Sequence, residues 1–206
     1  MKMDKKYCYL CGFQLEEKTV IIPDWFNSAK QHSYLKCNEC SSLELIGINE
    51  KVEYHNSNQN FARTKNNHFI KLIKRSLNLV HKNNFNRIVS SSKKRNKKGK
   101  ILEIGCGRGS LLRVASNKGW EVTGIEPQLN KFNEANKNLN GLIINSTLED
   151  VKLKDKYDII IFWHVFEHLQ SLDEILINAK NFLTKDGVIF IEIPNINSLQ
   201  YSLFNK

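Results

Sequence analysis

The stretch Ile101-Leu-Glu103-Ile-Gly105-Cys106-Gly107-Arg-Gly109-Ser110 joins a short apolar run to three alternate glycines and then to a helical pattern. A strand that turns sharply into a helix through a backbone stripped of Cβ atoms leaves few folds open. The residues downstream keep the alternation. Leu111, Leu112, Val114 and Ala115 predict a helix stopped by Gly119, and Glu121–Ile125 predicts a strand. Leu129–Leu139 predicts a helix with Phe132 and Ala135 facing inward, and Leu142–Ile144 a third strand. Tyr157–Trp163 is nearly continuous in apolar and β-branched residues, as a parallel strand covered on both faces requires. Ser171-Leu-Asp-Glu174 reads as a capping box opening a helix that carries Leu172, Ile175, Leu176, Ala179, Phe182 and Leu183. Asp186-Gly187 then turns the chain into a fifth strand over 188–193. This order predicts an α/β fold, a doubly wound, Rossmann-like parallel sheet whose ligands lie at the carboxyl ends of its strands.

Four of the five cysteines fall in the first 40 residues, as Cys8-Tyr-Leu-Cys11-Gly12 and Cys37-Asn-Glu-Cys40. Each Cys-x2-Cys pair can close a tight turn that points two thiolates at one tetrahedral ion, so the array predicts a small structural zinc ribbon with Cys8, Cys11, Cys37 and Cys40 as ligands. Four protein ligands leave no open position for substrate, and removing the metal should unfold the module. Two disulfides are the alternative. The start of the chain leads into no apolar stretch of signal-peptide type and no run is long enough to span a bilayer, which makes the cytoplasm the expected location and disulfides the weaker reading. The fifth cysteine, Cys106, sits in the glycine loop and reads as a small loop residue.

Charge is unevenly spread. Residues 1–100 carry 20 Lys and Arg against 8 Asp and Glu, whereas 101–206 carry 11 against 13. From Arg63 to Lys100 there are 13 basic residues and no acidic one. Nucleic acid, an anionic membrane surface, a phosphorylated small substrate and a plain solvated helix are all compatible with such a segment. Phe69, Ile73, Leu77 and Val80 recur at helical spacing within it, predicting an amphipathic helix over about Lys65–Val89 followed by a basic linker. The expected organisation is a zinc-binding module over 1–60, a basic helix and linker over 61–100, and a ligand-binding domain over 101–206. Tyr7, Tyr9, Trp25 and Phe26 could stack on bases or pack a core.

The glycines of the loop let main chain approach a ligand where a Cβ would collide. Glu126, at the end of the next strand, is placed to accept both hydroxyls of a ribose. The spacing is G-x-G-x-G with Glu103 two residues ahead, unlike the G-x-G-x-x-G of dinucleotide folds. On these residues the region 101–195 resembles the class I S-adenosylmethionine-dependent methyltransferases. The resemblance implies that Glu103, Gly105, Cys106, Gly107 and Gly109 hold the methionine part of the donor and Glu126 its ribose. It implies Leu148-Glu149 on the adenine side, and a segment Phe162-Trp-His164-Val-Phe-Glu167-His168-Leu169 that runs beneath the donor and faces the acceptor.

Methyl transfer from a sulfonium needs an in-line nucleophile, mostly positioning, and sometimes proton removal from the acceptor. His164, Glu167 and His168 are the ionisable groups at the mouth of the fourth strand, with His168 the candidate base; the alternative is that they only cap or brace the loop. In ubiquinone-pathway O-methyltransferases, which this stretch resembles, a similar Glu-x2-Glu-His set binds a divalent ion. His164 replaces the first Glu here, so no second metal is expected.

The cysteine array ahead of this domain is similar to the zinc module of sugar C-methyltransferases and related polysaccharide-cluster enzymes. That similarity implies a small, anionic sugar or nucleotide-sugar acceptor. The alternative function is a zinc-ribbon nucleic-acid-binding protein or RNA methyltransferase. The family's sheet continues past a fifth strand, whereas this sequence stops at Tyr201-Ser-Leu-Phe204-Asn-Lys206. A truncated domain is therefore expected, with an uncovered apolar strand edge that invites a homo-oligomer.

Overall fold

A computed structural model of the chain describes residues 7–23, 31–46, 67–92, 98–169 and 171–195, without the side chains of 23, 31 and 67–78. Trp25, Phe26, the basic run 93–97 and the C-terminal 196–206 lie outside the described residues. The chain divides into two compact units, residues 1–53 and 54–206.

The first unit holds a three-stranded antiparallel sheet, β1 (Leu15–Pro23), β2 (Gln31–Cys37) and β3 (Leu43–Ile46), with β2 in the middle. Its only described core is small: Cys8, Leu15 and Cys37 are buried, with Leu35 packed against them. Among the described residues of this unit the buried apolar surface is small, the situation in which small modules commonly rely on a metal or disulfides.

The second unit contains α1 (Asn67–Ser91), β4 (Lys100–Ile104), α2 (Ser110–Asn117), β5 (Glu121–Ile125), α3 (Leu129–Asn138), β6 (Leu142–Ile144), β7 (Tyr157–Trp163), α4 (Leu172–Asn181) and β8 (Leu183–Glu192). The five strands form one parallel sheet in the order β6-β5-β4-β7-β8. β4 and β7 lie centrally and are buried almost throughout, which is why they read as unbroken apolar runs. One face is covered by α1, α2 and α3 through Phe85, Ile88, Leu112, Val114 and Ala135, packed on Ile101, Ile159 and Ile161. The other is covered by α4 through Ile175 and Ala179, packed on Leu102, Ile104, Ile160 and Phe162. Among the described residues, no helix is long and apolar enough to cross a membrane.

Three local expectations are corrected. Val80, read as part of the inward stripe of α1, is 52% exposed, and Phe85 and Ile88, one turn and two turns further on, make the buried contact. Ser171 does begin α4, but it adopts a left-handed conformation (φ 51°) and its side chain makes no cap hydrogen bond; an N-cap side chain is aimed correctly only from the β region. Leu183 is not helical. It pairs with Tyr157 at the start of β8, and the register then jumps so that Val188 meets Ile159, leaving Asp186-Gly187 inside an irregular stretch of the strand.

Candidate functional site

The parallel sheet brings the turns after β4, β5, β6 and β7 to one end. The turn after β4 is made by Gly105, Gly107 and Gly109, all with positive φ. Gly105 requires glycine twice over: its φ is +66°, and a Cβ there would lie 2.5 Å from Val165 Cγ2. At Gly107 (φ +54°) a Cβ would meet nothing within 4 Å, so the loop presents bare main chain to open space. Cys106 N–H donates to Ile125 O (3.0 Å) and Gly109 N–H to Cys106 O (2.9 Å), pinning the loop over the end of β5.

Glu126, immediately after β5, is 4% exposed. Its Oε2 accepts the Gly107 N–H at 2.8 Å and its Oε1 the Gln128 N–H at 2.9 Å. Asn145, just beyond β6, donates through Nδ2 to Glu126 O (2.8 Å) and Pro127 O (3.0 Å), so it holds the main chain of the acid in place. Sequence reasoning missed Asn145; its position directly after a short parallel strand, level with Glu126, was the available signal.

Glu103 is 4% exposed, on the face of β4 that looks toward α2. Burial first, then the nearby charge of Glu126, push its carboxyl up from 4.5 to about 8, against a hydrogen bond from the Leu112 main chain that pulls it down. Cys106 is buried, and burial followed by the charges of Glu103 and Glu126 raise its thiol far above the ordinary value of 9.0. It is a neutral filler rather than a nucleophile. Leu148 turns its side chain into the core on the α4 side of the sheet, and Glu149 is exposed.

After β7 the chain makes a tight turn. His164 is left-handed (φ 51°), its N–H donates to Glu192 O (2.9 Å) at the end of β8, and Phe166–His168 form one turn of 3-10 helix. Glu167 stands between the two imidazoles, with Oε1 3.9 Å from His164 Nδ1 and 4.0 Å from His168 Nε2. His164 is half exposed and His168 more so. The structure thus brings Glu103, Gly105, Gly107, Gly109 and Glu126 into one cradle, and His164, Glu167 and His168 into one turn at its side, joined by the Val165–Gly105 approach.

The four cysteines of the first unit form the one group of three or more potential ligands found among the described residues, with all their sulfur atoms within 4.8 Å of one another. Cys8 Sγ lies 3.6 Å from Cys40 Sγ, and Cys11 Sγ 3.5 Å from Cys37 Sγ. A tetrahedral ion with Zn–S bonds of about 2.3 Å places its sulfurs ~3.8 Å apart, whereas a disulfide needs ~2.05 Å, so the cluster is compatible with a zinc module and the cysteines are unbonded. The two knuckles are alike: Gly12 N–H donates to Cys8 O (2.9 Å) and Ser41 N–H to Cys37 O (3.0 Å), and Gly12 and Ser41 are both left-handed. The thiols of the cluster shift in opposite directions, Cys40 down to about 6 through hydrogen bonds from the side chain and main chain of Ser42, and Cys11 up to about 12 against a hydrogen bond from the Phe13 main chain, as one proton shared among neighbouring sulfurs requires.

Known proteins are similar to this chain over about half of its length. The Rickettsia canadensis protein named ubiquinone biosynthesis O-methyltransferase is 29% identical over 108 residues, 50% of this chain and 46% of its own length. The protein of the same name from Glaesserella parasuis is 30% identical over 115 residues, 50% and 49% of the two chains. The chain therefore spans about half the length of the curated relatives it matches. Among solved structures, the plantazolicin methyltransferase BpumL in complex with SAH superposes with a TM-score of 0.55 at 21% identity, covering 66% of this chain and 55% of that one. The plantazolicin methyltransferase BamL, in complex with a triazolic desmethylPZN analog and SAH, gives 0.56 at 23% identity, covering 67% and 54%. At these identities the superpositions establish the fold. The methyltransferase domain family matches residues 74–206, more than half of the sequence, and the chain belongs to that family.

Proposed function

We propose that the second unit binds S-adenosylmethionine and transfers its methyl group to a small acceptor, a sugar or nucleotide-linked sugar, while the first unit holds a structural zinc ion. The observation that carries the donor reading is the cradle itself, with bare main chain at Gly107 facing open space beside a buried carboxylate. The residues fit the donor. A side chain at 107 would fill the space a nucleoside needs, and Glu103 Oε2 is a buried acceptor without a partner, as expected of a group that meets its partner in a ligand.

When bound, the donor supplies an electrophilic methyl on a positively charged sulfur. The chain's part is positioning and proton handling. Glu126, already aimed by Gly107, Gln128 and Asn145, offers its carboxylate to the ribose hydroxyls. The glycine loop sets the methionine part against main chain, and the segment at Leu148-Glu149 borders the adenine. His164 and His168, which flank Glu167 in the turn beside the cradle, can take a proton from an acceptor hydroxyl. Isothermal calorimetry with S-adenosylmethionine and S-adenosylhomocysteine tests the donor reading; absence of binding by folded protein ends it.

A second reading is favoured by charge. Lys82 and Arg87 of α1, Arg113 of α2 and Lys118 directly after α2 are all exposed, the two helices pack together, and neither contains an acidic residue. A polyanionic acceptor, RNA above all, would give binding that weakens steeply between low and moderate salt; a flat response returns the choice to the small acceptor.

A further inference from the structure

Glu103 has the surroundings of a proton store. Across β5 it is level with Gly124, which has no side chain, and across β7 with Ile161, which is apolar. From α2 it receives the Leu112 main-chain N–H, one of the unsatisfied donors of that helix's first turn, while its Oε2 is wholly buried and has no partner. The titratable groups that face it are Glu126 from the end of β5 and Cys106 from the glycine loop. Arg113 of α2 is exposed and acts on His81 of α1 instead, and Arg108 of the loop is paired with Glu134 at 3.1 Å. No cation therefore balances the two acids among the described residues.

Burial and a neighbouring acid, with no cation to offset them, both oppose ionisation of a carboxyl group. Glu126 accepts two main-chain N–H groups, at 2.8 and 2.9 Å, whereas Glu103 leaves its buried Oε2 without a partner, so Glu103 is the acid whose charged form lacks support. We propose that in the donor-free protein Glu103 holds its proton, and that binding of the cationic donor displaces this proton to solvent. The inference rests on the reading of the cradle as a donor site. Charge balances: a cation enters the site, a proton leaves, and Glu103 becomes the counter-ion. Affinity for the donor then rises with pH, approaching tenfold per unit below the free-protein titration of Glu103.

The test is calorimetry of the full chain with S-adenosylmethionine at pH 7, in two buffers of different ionisation heat. Release of about one proton per donor is expected from wild type, falling to nearly zero in Glu103→Gln, which keeps the shape and the hydrogen-bonding capacity but cannot ionise. The α-amino group of the donor titrates near 7.7–8.0 and is already mostly protonated at pH 7, so holding it charged takes up only a small fraction of a proton, well short of the one released by Glu103. Equal heats in both buffers, or equal release from wild type and variant, overturn the inference while leaving the donor site standing. No binding heat at all removes the donor site and the inference together. Should Glu103→Gln fail to fold, infrared spectroscopy of wild type decides: the carbonyl stretch of a protonated carboxylic acid is present without donor and lost on adding it, and its absence or persistence overturns the proposal.

Discussion

The Gly107 N–H donates to Glu126 Oε2 at 2.8 Å, so the loop after β4 and the acid after β5 are bound to one another across 19 residues of chain. Neither can be changed without loosening the other. Glu126→Ala removes the acceptor of two main-chain donors and the grip on the ribose. Charge-assisted hydrogen bonds are worth about 1.5–3 kcal/mol, so affinity for S-adenosylmethionine should fall by roughly 10- to 100-fold, measured by calorimetry on protein whose circular dichroism matches wild type. Gly107→Val should do the same by filling the cradle. Unchanged affinity in both would refute the donor assignment.

Gly105→Ala should be mainly a stability defect. The new methyl would lie 2.5 Å from Val165 Cγ2, on a backbone with φ +66°. Overpacking and the left-handed conformation together should cost about 2–4 kcal/mol in urea denaturation. Adding Val165→Ala should recover the steric part and leave the conformational part, about 1–2 kcal/mol. A double variant no more stable than the single one would locate the strain elsewhere.

Removal of metal should separate the two units. A strong chelator, or Cys37→Ser at the buried sulfur, should unfold the sheet β1–β3 while the cooperative transition of the second unit persists, as followed by two-dimensional NMR. Elemental analysis should find one zinc per chain. Retention of the β1–β3 resonances in metal-free, reduced protein would exclude a structural ion.

The buried acid also predicts how stability depends on pH. The folded-state value for Glu103 is raised from 4.5 to about 8, so between these values the folded protein holds a proton that the unfolded chain has lost. The stabilisation is full below the lower value and lost as pH rises through the upper one, at no more than about 1.4 kcal/mol per unit. Between pH 6 and 8, donor-free wild type should lose on the order of 2 kcal/mol relative to Glu103→Gln. Parallel pH profiles for the two proteins would show that Glu103 is ionised throughout.

The alternation that defines the sheet was legible because β4 and β7 are covered on both faces and α2 shows one apolar side, patterns that follow from burial alone. The glycine loop and the paired cysteines were legible because tight turns and tetrahedral ions restrict residue type at fixed spacing. What escaped depends on partners distant in sequence. Periodicity marks a stripe on α1 but not which of its turns meets α2, hence Phe85 and Ile88 rather than Val80. Leu183 has the composition of a helix end; its pairing with Tyr157 decides otherwise. Asn145 is an ordinary turn residue until the fold sets it beside Glu126 and Pro127. Likewise, the proximity of Glu103 and Glu126 is created by the β4–β5 pairing and by the loop closing over it.

The His164 N–H bonded to Glu192 O ties the turn that bears both imidazoles to the outermost strand of the sheet. That strand is therefore a lever as well as a border. A shift of β8 along its own axis would be felt first at His164, because strand and turn share that main-chain bond.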